Sequence, residues 1–235
     1  MICGSDTNGY TPFLETLPAV VRMDFLKLGR RRHYATGAVL ISEGDPADDL
    51  LFLHEGHVKV TARLNGEHGA LMDIRVGGDA VGEMAIMDNG SRTATVTACC
   101  DVVASVIPQP ELRRFLSATP EAWPAITKLF CDRLLRATRW RLELRGYPVK
   151  VRLARVLVEL TVTHGCSTSR RHERRIDVNL TQAEFAALTG SKLRATQEAL
   201  AQLSQEGLIT TGERRTNVLN LEKLRKVALL DVPVA

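Results

Sequence analysis

Three side chains and a run of backbone N–H groups in one short stretch have the types and spacing to hold a phosphorylated ribose. Gly82-Glu83-Met84-Ala85 follows a strand-like run, and Arg92-Thr93 begins nine residues after Glu83. If Gly82 to Ala85 opens a short helix, its free N–H groups can receive a phosphate. Arg92 supplies a charged, two-pronged donor. Thr93 adds a hydroxyl and an N–H, and Glu83 is an acceptor suited to a ribose hydroxyl. A turn, Asp88-Asn89-Gly90, separates the two halves. The spacing also fits a surface ion pair between Glu83 and Arg92, so by itself it leaves both readings open.

A second set lies near the C-terminus. Thr181-Gln182-Ala183-Glu184 reads as a capping box, in which threonine and glutamate satisfy each other's backbone N–H. The helix it opens stops at Gly190, suited to a left-handed turn. Ser191 can cap a second helix whose buried face is Ala195, Ala199, Leu200 and Leu203. Gly207 ends it, and Leu208 to Leu219 reads as a two-stranded wing. Helix, glycine turn, helix and wing is the winged helix-turn-helix order, which places its second helix in a major groove. An αα-hairpin that binds nothing has the same boundaries. If the segment reads DNA, the candidate contacts are Thr181, Gln182, Ser191, Lys192, Leu193, Arg194, Gln197 and Glu198, with Arg214 and Arg215 on the wing. Arg194 has the rigid fork that suits guanine, Gln197 suits adenine, and Leu193 suits a thymine methyl. Thr196 stands where such helices usually bury an aliphatic residue.

The elements that must position these sets differ in period. Between residues 34 and 107 short apolar runs recur, such as Val39 to Ile41, Leu50 to Leu53, Leu71 to Val76 and Val102 to Ile107. Turn signals separate them, Asn65-Gly66 the strongest. This predicts an antiparallel sandwich or barrel, preceded by short helices over Phe13 to Leu28. From Thr119-Pro120-Glu121 the period becomes helical, and a long helix is expected from about Pro124 to Arg145. Its apolar positions, Ile126, Leu129, Phe130, Leu134, Leu135, Trp140 and Leu142 among them, make a stripe wider than one buried face needs. That fits a helix packed on its own barrel and on a partner helix in a dimer; an ordinary core helix is the alternative. Gly146-Tyr147-Pro148 breaks it, and a hinge is expected there. Ser167 to Arg175 reads as a loop, and Ile176, Val178 and Leu180 as a strand. The expected domains are 13–118, a β-barrel; 119–145, a dimerisation helix; and 146–235, a winged helix-turn-helix.

Composition narrows the function classes. The 235 residues are 45% hydrophobic and 25% charged, an ordinary globular balance. No apolar run is long enough for a membrane span, and MICGSDTNGY lacks the pattern of a signal peptide. Residues 145–235 hold 15 of the 31 basic and 9 of the 27 acidic residues, so the C-terminal part is +6 and the remainder −2. A basic third points to a polyanionic partner. Cys3, Cys99, Cys100, Cys131 and Cys166 form no CxxC pair and read as reduced thiols in a cytoplasm. His54 and His57, three apart on a strand, would face opposite ways, which argues against a metal-binding cupin enzyme. Trp123 and Trp140 fit helix packing, and Arg30-Arg31-Arg32 a solvated run. No Ser/His/Asp or Cys/His arrangement has a recognisable local context, so no enzyme is expected.

Three stretches together resemble the cyclic-AMP receptor protein / fumarate-nitrate reduction regulator (Crp/Fnr) family. Gly37 to Asp45 and Leu53 to Val60 look like its opening barrel strands, and Gly82 to Met87 with Ser91 to Val96 like its phosphate-binding cassette. The order of barrel, long helix and helix-turn-helix completes the likeness. The resemblance implies an α+β chain: an N-terminal jelly-roll (double-stranded β-helix) cyclic-nucleotide-binding domain, a dimerisation helix and a C-terminal winged helix-turn-helix. It implies a homodimer that binds double-stranded DNA under control of a cyclic nucleotide, cyclic AMP first, with RNA polymerase as a further partner. No metal, haem or iron–sulfur cluster is expected; Cys3 alone cannot supply the cysteine cluster of the iron–sulfur members. Glu83 would hold the ribose 2′-hydroxyl, Arg92 and Thr93 the cyclic phosphate, and Gly82 and Met84 would lend backbone. Of the two helix positions that usually offer hydroxyls to the base, Ala137 and Thr138, only Thr138 does. The recognition helix also departs: Leu193, Arg194 and Glu198 replace the usual arginine, glutamate and arginine. A ligand-independent member with a relic cassette, and a nucleotide sensor whose basic domain docks another protein, are the alternatives.

Overall fold

The computed structural model describes residues 11–63, 70–168, 173–212 and 215–230. The hairpin expected at Asn65-Gly66, His68, His172, Cys3 and Arg214 lie outside the described residues. The chain divides into two compact units, one spanning Thr11–Arg136 and one beginning at Ala137.

The N-terminal unit starts with two short helices, α1 (Phe13–Thr16) and α2 (Ala19–Phe25). Strands follow: β1 (Arg30–Tyr34), β2 (Val39–Ile41), β3 (Asp49–Glu55), β4 (His57–Ala62), β5 (Ala70–Val76) and β6 (Ala80–Val81). Helix α3 (Glu83–Asp88), strands β7 (Thr95–Ala98) and β8 (Val102–Pro108), helix α4 (Gln109–Ala118) and the start of α5 (Trp123–Gly146) complete it. The strands form two antiparallel four-stranded sheets, ordered β1-β8-β3-β6 and β2-β7-β4-β5. Strand β3 shows why they stack. Leu51 and Leu53 enter the core between the sheets, while the alternate residues Leu50 and Phe52 enter a second core under the helices. There Phe13, Phe25, Phe52 and Phe115 meet edge to face, with centroids 5.3–5.8 Å apart. Helix α5 closes this core with Ala125 and Ile126, and Leu129 and Phe130 pack beside them.

The C-terminal unit takes the rest of α5, then α6 (Val149–His164), β9 (Gly165–Ser167), β10 (Arg174–Ile176), α7 (Gln182–Thr189), α8 (Leu193–Gln205), β11 (Ile209–Gly212), β12 (Arg215–Val218) and α9 (Leu221–Val227). Its sheet runs β11-β12-β10-β9. Leu153, Leu157, Leu203, Ile209, Val218 and Leu224 are its buried centre.

Several sequence expectations need correction. Part of the expected 167–175 loop pairs as β9 and β10, with Arg175 opposite Cys166. The strand expected over Ile176 to Leu180 ends at Ile176, because the chain turns towards the Thr181 cap; Val178 and Leu180 are buried all the same. Helix α5 begins at Trp123, after a 3-10 turn over Pro120–Ala122 that Thr119 does not cap with its side chain. Arg30 to Arg32 are exposed but form strand β1, paired with Val106, Ser105 and Ala104. Helices α4 and α9 carry no signal that sequence reading picks out. Next to Gly146 to Pro148, Arg155 donates to Glu143 Oε1 at 2.8 Å and to the Ala228 carbonyl at 2.9 Å, and lies 4.3 Å over the Tyr147 ring.

Candidate ligand and nucleic-acid sites

The cassette folds around a glycine. Gly82 has φ +83°, and a Cβ there would run into the Arg92 guanidinium and Ile41. Only glycine both takes that backbone and leaves the space. Glu83, the first residue of α3, is buried, and its carboxylate is ion-paired with Arg133 of α5. Arg133 also donates to the Ala80 carbonyl at 2.7 Å. Arg92 is buried as well. Its Nη1 donates to the Gly82 carbonyl at 3.1 Å, and its Nη2 donates to the Asp49 carbonyl at 2.7 Å and to Asp49 Oδ1 at 2.6 Å. Met84 and Thr93 are exposed, and Thr138 is an exposed residue of α5 within the C-terminal unit. The structure therefore brings Gly82, Glu83 and Arg92 together, with Met84 and Thr93 beside them in sequence.

Four residues that sequence reading misses complete this region: Asp49, Arg133, Asp73 and Arg136. Asp73 of β5 accepts from Arg75 Nη1 at 2.5 Å and from the Ile74 N–H at 2.7 Å; Arg136 Nη1 lies 3.7 Å from its Oδ2. Burial alone would raise the Asp73 carboxyl, but Arg75, Arg136 and the Ile74 N–H outweigh it and hold it below the ordinary carboxylate value. The one signal in the sequence is Arg133 and Arg136, three apart on a helix and so on one face. A cavity of about 210 Å³ is lined by Arg92 together with Asp45, Asp48 and Asp49, a setting unsuited to an anion.

In the C-terminal unit the capping box is present. The Glu184 N–H donates to Thr181 Oγ1 at 3.2 Å, and the Thr181 N–H donates to Glu184 Oε2 at 2.7 Å. Gly190 takes φ +56° and turns the chain towards α8. Ser191 does not cap α8. Lys192 is the N-cap, and the Ser191 hydroxyl instead lies 2.7 Å from both Thr189 Oγ1 and Thr196 Oγ1. This answers the oddity of Thr196: it is fully buried, with its hydroxyl bonded. Lys192, Leu193, Arg194, Gln197 and Glu198 are exposed at the start of α8. Arg194 Nε donates to Glu198 Oε1 at 3.2 Å, and Gln197 donates to Gln182 Oε1 at 2.9 Å. Arg215 is exposed on β12.

The rival constellations are occupied otherwise. His54 and His57 lie on β3 and β4, not on one strand, because Gly56 turns the chain between them. His54 Nε2 is 2.8 Å from Ser105 Oγ, and His57 Nδ1 is 3.4 Å from Cys100 Sγ. Among the described residues no group of three His, Cys, Asp or Glu side chains could hold a metal ion. Trp140 donates to the Leu188 carbonyl at 2.9 Å, while Trp123 and Trp140 both stay partly exposed. No helix among the described residues is long and apolar enough to cross a membrane.

Comparison with known proteins agrees with this geometry. Residues 31–119 match the cyclic nucleotide-binding domain, and residues 151–227 match the Crp-like helix-turn-helix domain. A CRP-like cAMP-activated global transcriptional regulator of Mycobacterium tuberculosis is 28% identical over 195 residues, 83% of this chain and 86% of that one. The transcriptional regulator LdrP of Thermus thermophilus is 27% identical over 199 residues, 84% and 96% of the two chains. The solved structure of the c-di-GMP responsive global regulator CLP of Xanthomonas campestris shares the fold, with TM-score 0.73 at 24% identity, covering 86% of this chain and 99% of that one. With a nucleotide-binding sandwich, a long helix and a helix-turn-helix in the same order as these regulators, the chain belongs to the Crp/Fnr family of transcription regulators and is not an enzyme.

Proposed function

We propose that the chain is a homodimeric regulator whose affinity for double-stranded DNA is set by a 3′,5′-cyclic purine nucleotide. The observation that carries the ligand is the pair of buried charges, Glu83 and Arg92, on either side of Gly82 in the nucleotide-binding sandwich. A carboxylate has about four lone-pair sites, so Glu83 can accept from a ribose hydroxyl while paired with Arg133. The cyclic phosphate would meet Arg92, the Thr93 hydroxyl and the backbone at Gly82 to Met84.

On the DNA side, α8 enters the major groove and presents Lys192, Leu193, Arg194, Gln197 and Glu198 to base edges. Thr181, Gln182 and Ser191 lie at the two helix starts, and Arg215 of β12 would reach a phosphate, with Arg214 next to it in sequence a second candidate. For the dimer, Leu134, Leu135 and Leu142 are exposed on α5, and such surface needs a cover. Positions 135, 138 and 142 share one helix face, which suits a second copy of α5. The functional division is a sensor over 13–118, a dimer helix over 119–145 and a reader over 146–235, working in the cytoplasm with RNA polymerase as a further partner.

The test is selection of bound DNA from a random pool with and without cyclic AMP and cyclic GMP. A motif of two half-sites that strengthens with one nucleotide is expected. Nucleotide-independent selection would favour the second reading, a ligand-independent regulator, which the closed pairs Arg92–Asp49 and Glu83–Arg133 support.

A further inference from the structure

A groove of about 370 Å³ opens within the C-terminal unit, beside the exposed side of α8. Gln182 at the start of α7, Gln197, Ala201, Ser204 and Gln205 of α8, and Thr211 of β11 are in its walls. Positions 197, 201, 204 and 205 fall on one face of the helix. None of the lining residues is charged. A phosphate would find no cationic side chain there, whereas a base edge, with its neutral donors and acceptors, suits such walls.

Two amides of this groove come from different helices and meet. Gln197 Nε2 donates to Gln182 Oε1 at 2.9 Å, across 15 positions of sequence. An amide nitrogen carries two hydrogens, so after that bond Gln197 keeps one N–H and its own Oε1. Neither takes another partner among the described residues. One donor beside one acceptor is the complement of adenine, which shows an N7 acceptor and an N6 donor in the major groove. Guanine sets two acceptors side by side, O6 and N7, and would turn O6 against Gln197 Oε1. Cytosine offers only a donor there, and thymine an acceptor and a methyl group.

We propose that Gln182 is a positioning residue that, through Gln197, makes the protein select adenine at one base pair of each half-site, an inference that rests on the DNA-reading function above. A glutamine on a helix surface is free to turn about several bonds, and holding it still costs affinity when it must be ordered on binding. The bond from α7 sets the plane of the Gln197 amide before DNA arrives. Gln182 is exposed and takes no part in the capping box, whose two members are Thr181 and Glu184. Its side chain can therefore be changed without removing the cap of α7.

The experiment is selection of DNA by the full chain from a random pool, with and without cyclic AMP and cyclic GMP. It is followed by competition between duplexes that differ at single base pairs, for wild type, Gln197→Ala, Gln182→Ala, Gln182→Glu and the double alanine variant. At the base pair whose preference disappears in Gln197→Ala, wild type should favour adenine by about tenfold. Replacing that adenine by 7-deazaadenine, which lacks the N7 acceptor, should weaken wild type but not Gln197→Ala. Gln182→Ala should lower the adenine preference by about two- to tenfold, with the other positions and the salt dependence unchanged. The double variant should lose no more preference than Gln197→Ala, because the two side chains act as one unit. Gln182→Glu keeps the acceptor, so it should keep the adenine preference while its charge weakens binding to all sequences. A Gln182→Ala variant that keeps the full adenine preference, or that weakens all four bases alike, overturns the inference alone. So does a wild-type motif with no adenine that Gln197→Ala relaxes. Wild type that selects no DNA in any condition overturns the inference together with the DNA-reading function on which it rests.

Discussion

Arg92 Nη2 lies 2.6 Å from Asp49 Oδ1, so the guanidinium assigned to a phosphate is already paired with a carboxylate. The pair has two opposed consequences. Asp49 fixes the plane of the guanidinium, which lowers the cost of ordering it when an anion arrives. It also cancels part of the charge the anion would feel. Removing Asp49 would leave a buried guanidinium less compensated, which destabilises the free protein.

Asp49→Asn should therefore melt earlier than wild type without nucleotide, yet show a larger rise on adding it. A ligand at 100 times its dissociation constant adds about 2.7 kcal/mol to stability, enough to move a melting curve clearly. Arg92→Ala should show no rise, and Arg92→Lys only a small one, because lysine keeps the charge but loses the fork. Differential scanning with and without cyclic nucleotide reads all three. An Asp49→Asn variant with an unchanged ligand response would mean that Asp49 neither orients nor screens Arg92.

The His54 imidazole packs edge-on against Phe52, with centroids 4.9 Å apart, and bonds to Ser105. Burial lowers its pKa first and Arg31 lowers it further; Glu55 offsets part of this. The folded state thus prefers the neutral ring. The stability this contributes is present above the ordinary histidine value of about 6.5 and is lost as pH falls through the lower folded value. NMR titration should place His54 below the ordinary value. Melting of the N-terminal unit should decline with acidification in that range, and His54→Gln should flatten the decline.

The sandwich, the long helix and the helix-turn-helix are legible in the sequence because each has a local signature. Apolar runs such as Leu50 to Leu53 mark strands, Pro148 marks a break, and the box Thr181 to Glu184 marks a helix start. What closes the ligand region is not legible, because it depends on distant pairing. Asp49 meets Arg92 across 43 positions and Arg133 meets Glu83 across 50, and no local pattern announces either partner. For the long helix the pattern predicts the element but not the division of its faces. Phe130, grouped by spacing with the dimer stripe, packs on its own barrel, while Leu134, Leu135 and Leu142 stay exposed. Thr196 is anomalous only while its partner, Ser191, is assigned to a cap.

The chain of hydroxyls Thr189, Ser191 and Thr196 joins the two helices of the reading unit through bonds of 2.7 Å. Thr196→Val keeps the shape but removes one link, leaving the part-buried Ser191 hydroxyl with Thr189 alone. The expected loss is about 1–3 kcal/mol of unfolding free energy in the C-terminal unit, measured by urea denaturation. A restored aliphatic contact that left stability unchanged would show the chain to be dispensable.

The division of α5 makes the dimer test specific. Leu135→Glu or Leu142→Glu should give folded monomers, because both side chains are exposed in the single chain and a charge there costs nothing until a partner buries it. Phe130→Glu should instead damage the barrel itself. Light scattering with circular dichroism separates the two effects. Wild type that remains monomeric at micromolar concentration would exclude α5 as a seam.

In the proposed reading, base choice turns on Arg194, whose side chain is 91% exposed and whose Nε is bonded to Glu198 on its own helix. That bond leaves the terminal nitrogens of the fork to a guanine edge and limits the directions they can take. Arg194→Ala should therefore relax preference at one base pair in each half-site, at a cost of about 1–3 kcal/mol there. Glu198→Ala removes the support without removing the fork, and should broaden the same position more mildly. Arg215→Ala should behave differently. Removing a wing cation that neutralises a phosphate weakens all sequences alike and flattens the salt dependence by about one unit. Selection from a random pool for each variant distinguishes these outcomes. An Arg194→Ala motif identical to wild type, with uniformly weaker binding, would make Arg194 a phosphate anchor and leave Gln197, donating to Gln182 at 2.9 Å, as the remaining bidentate reader.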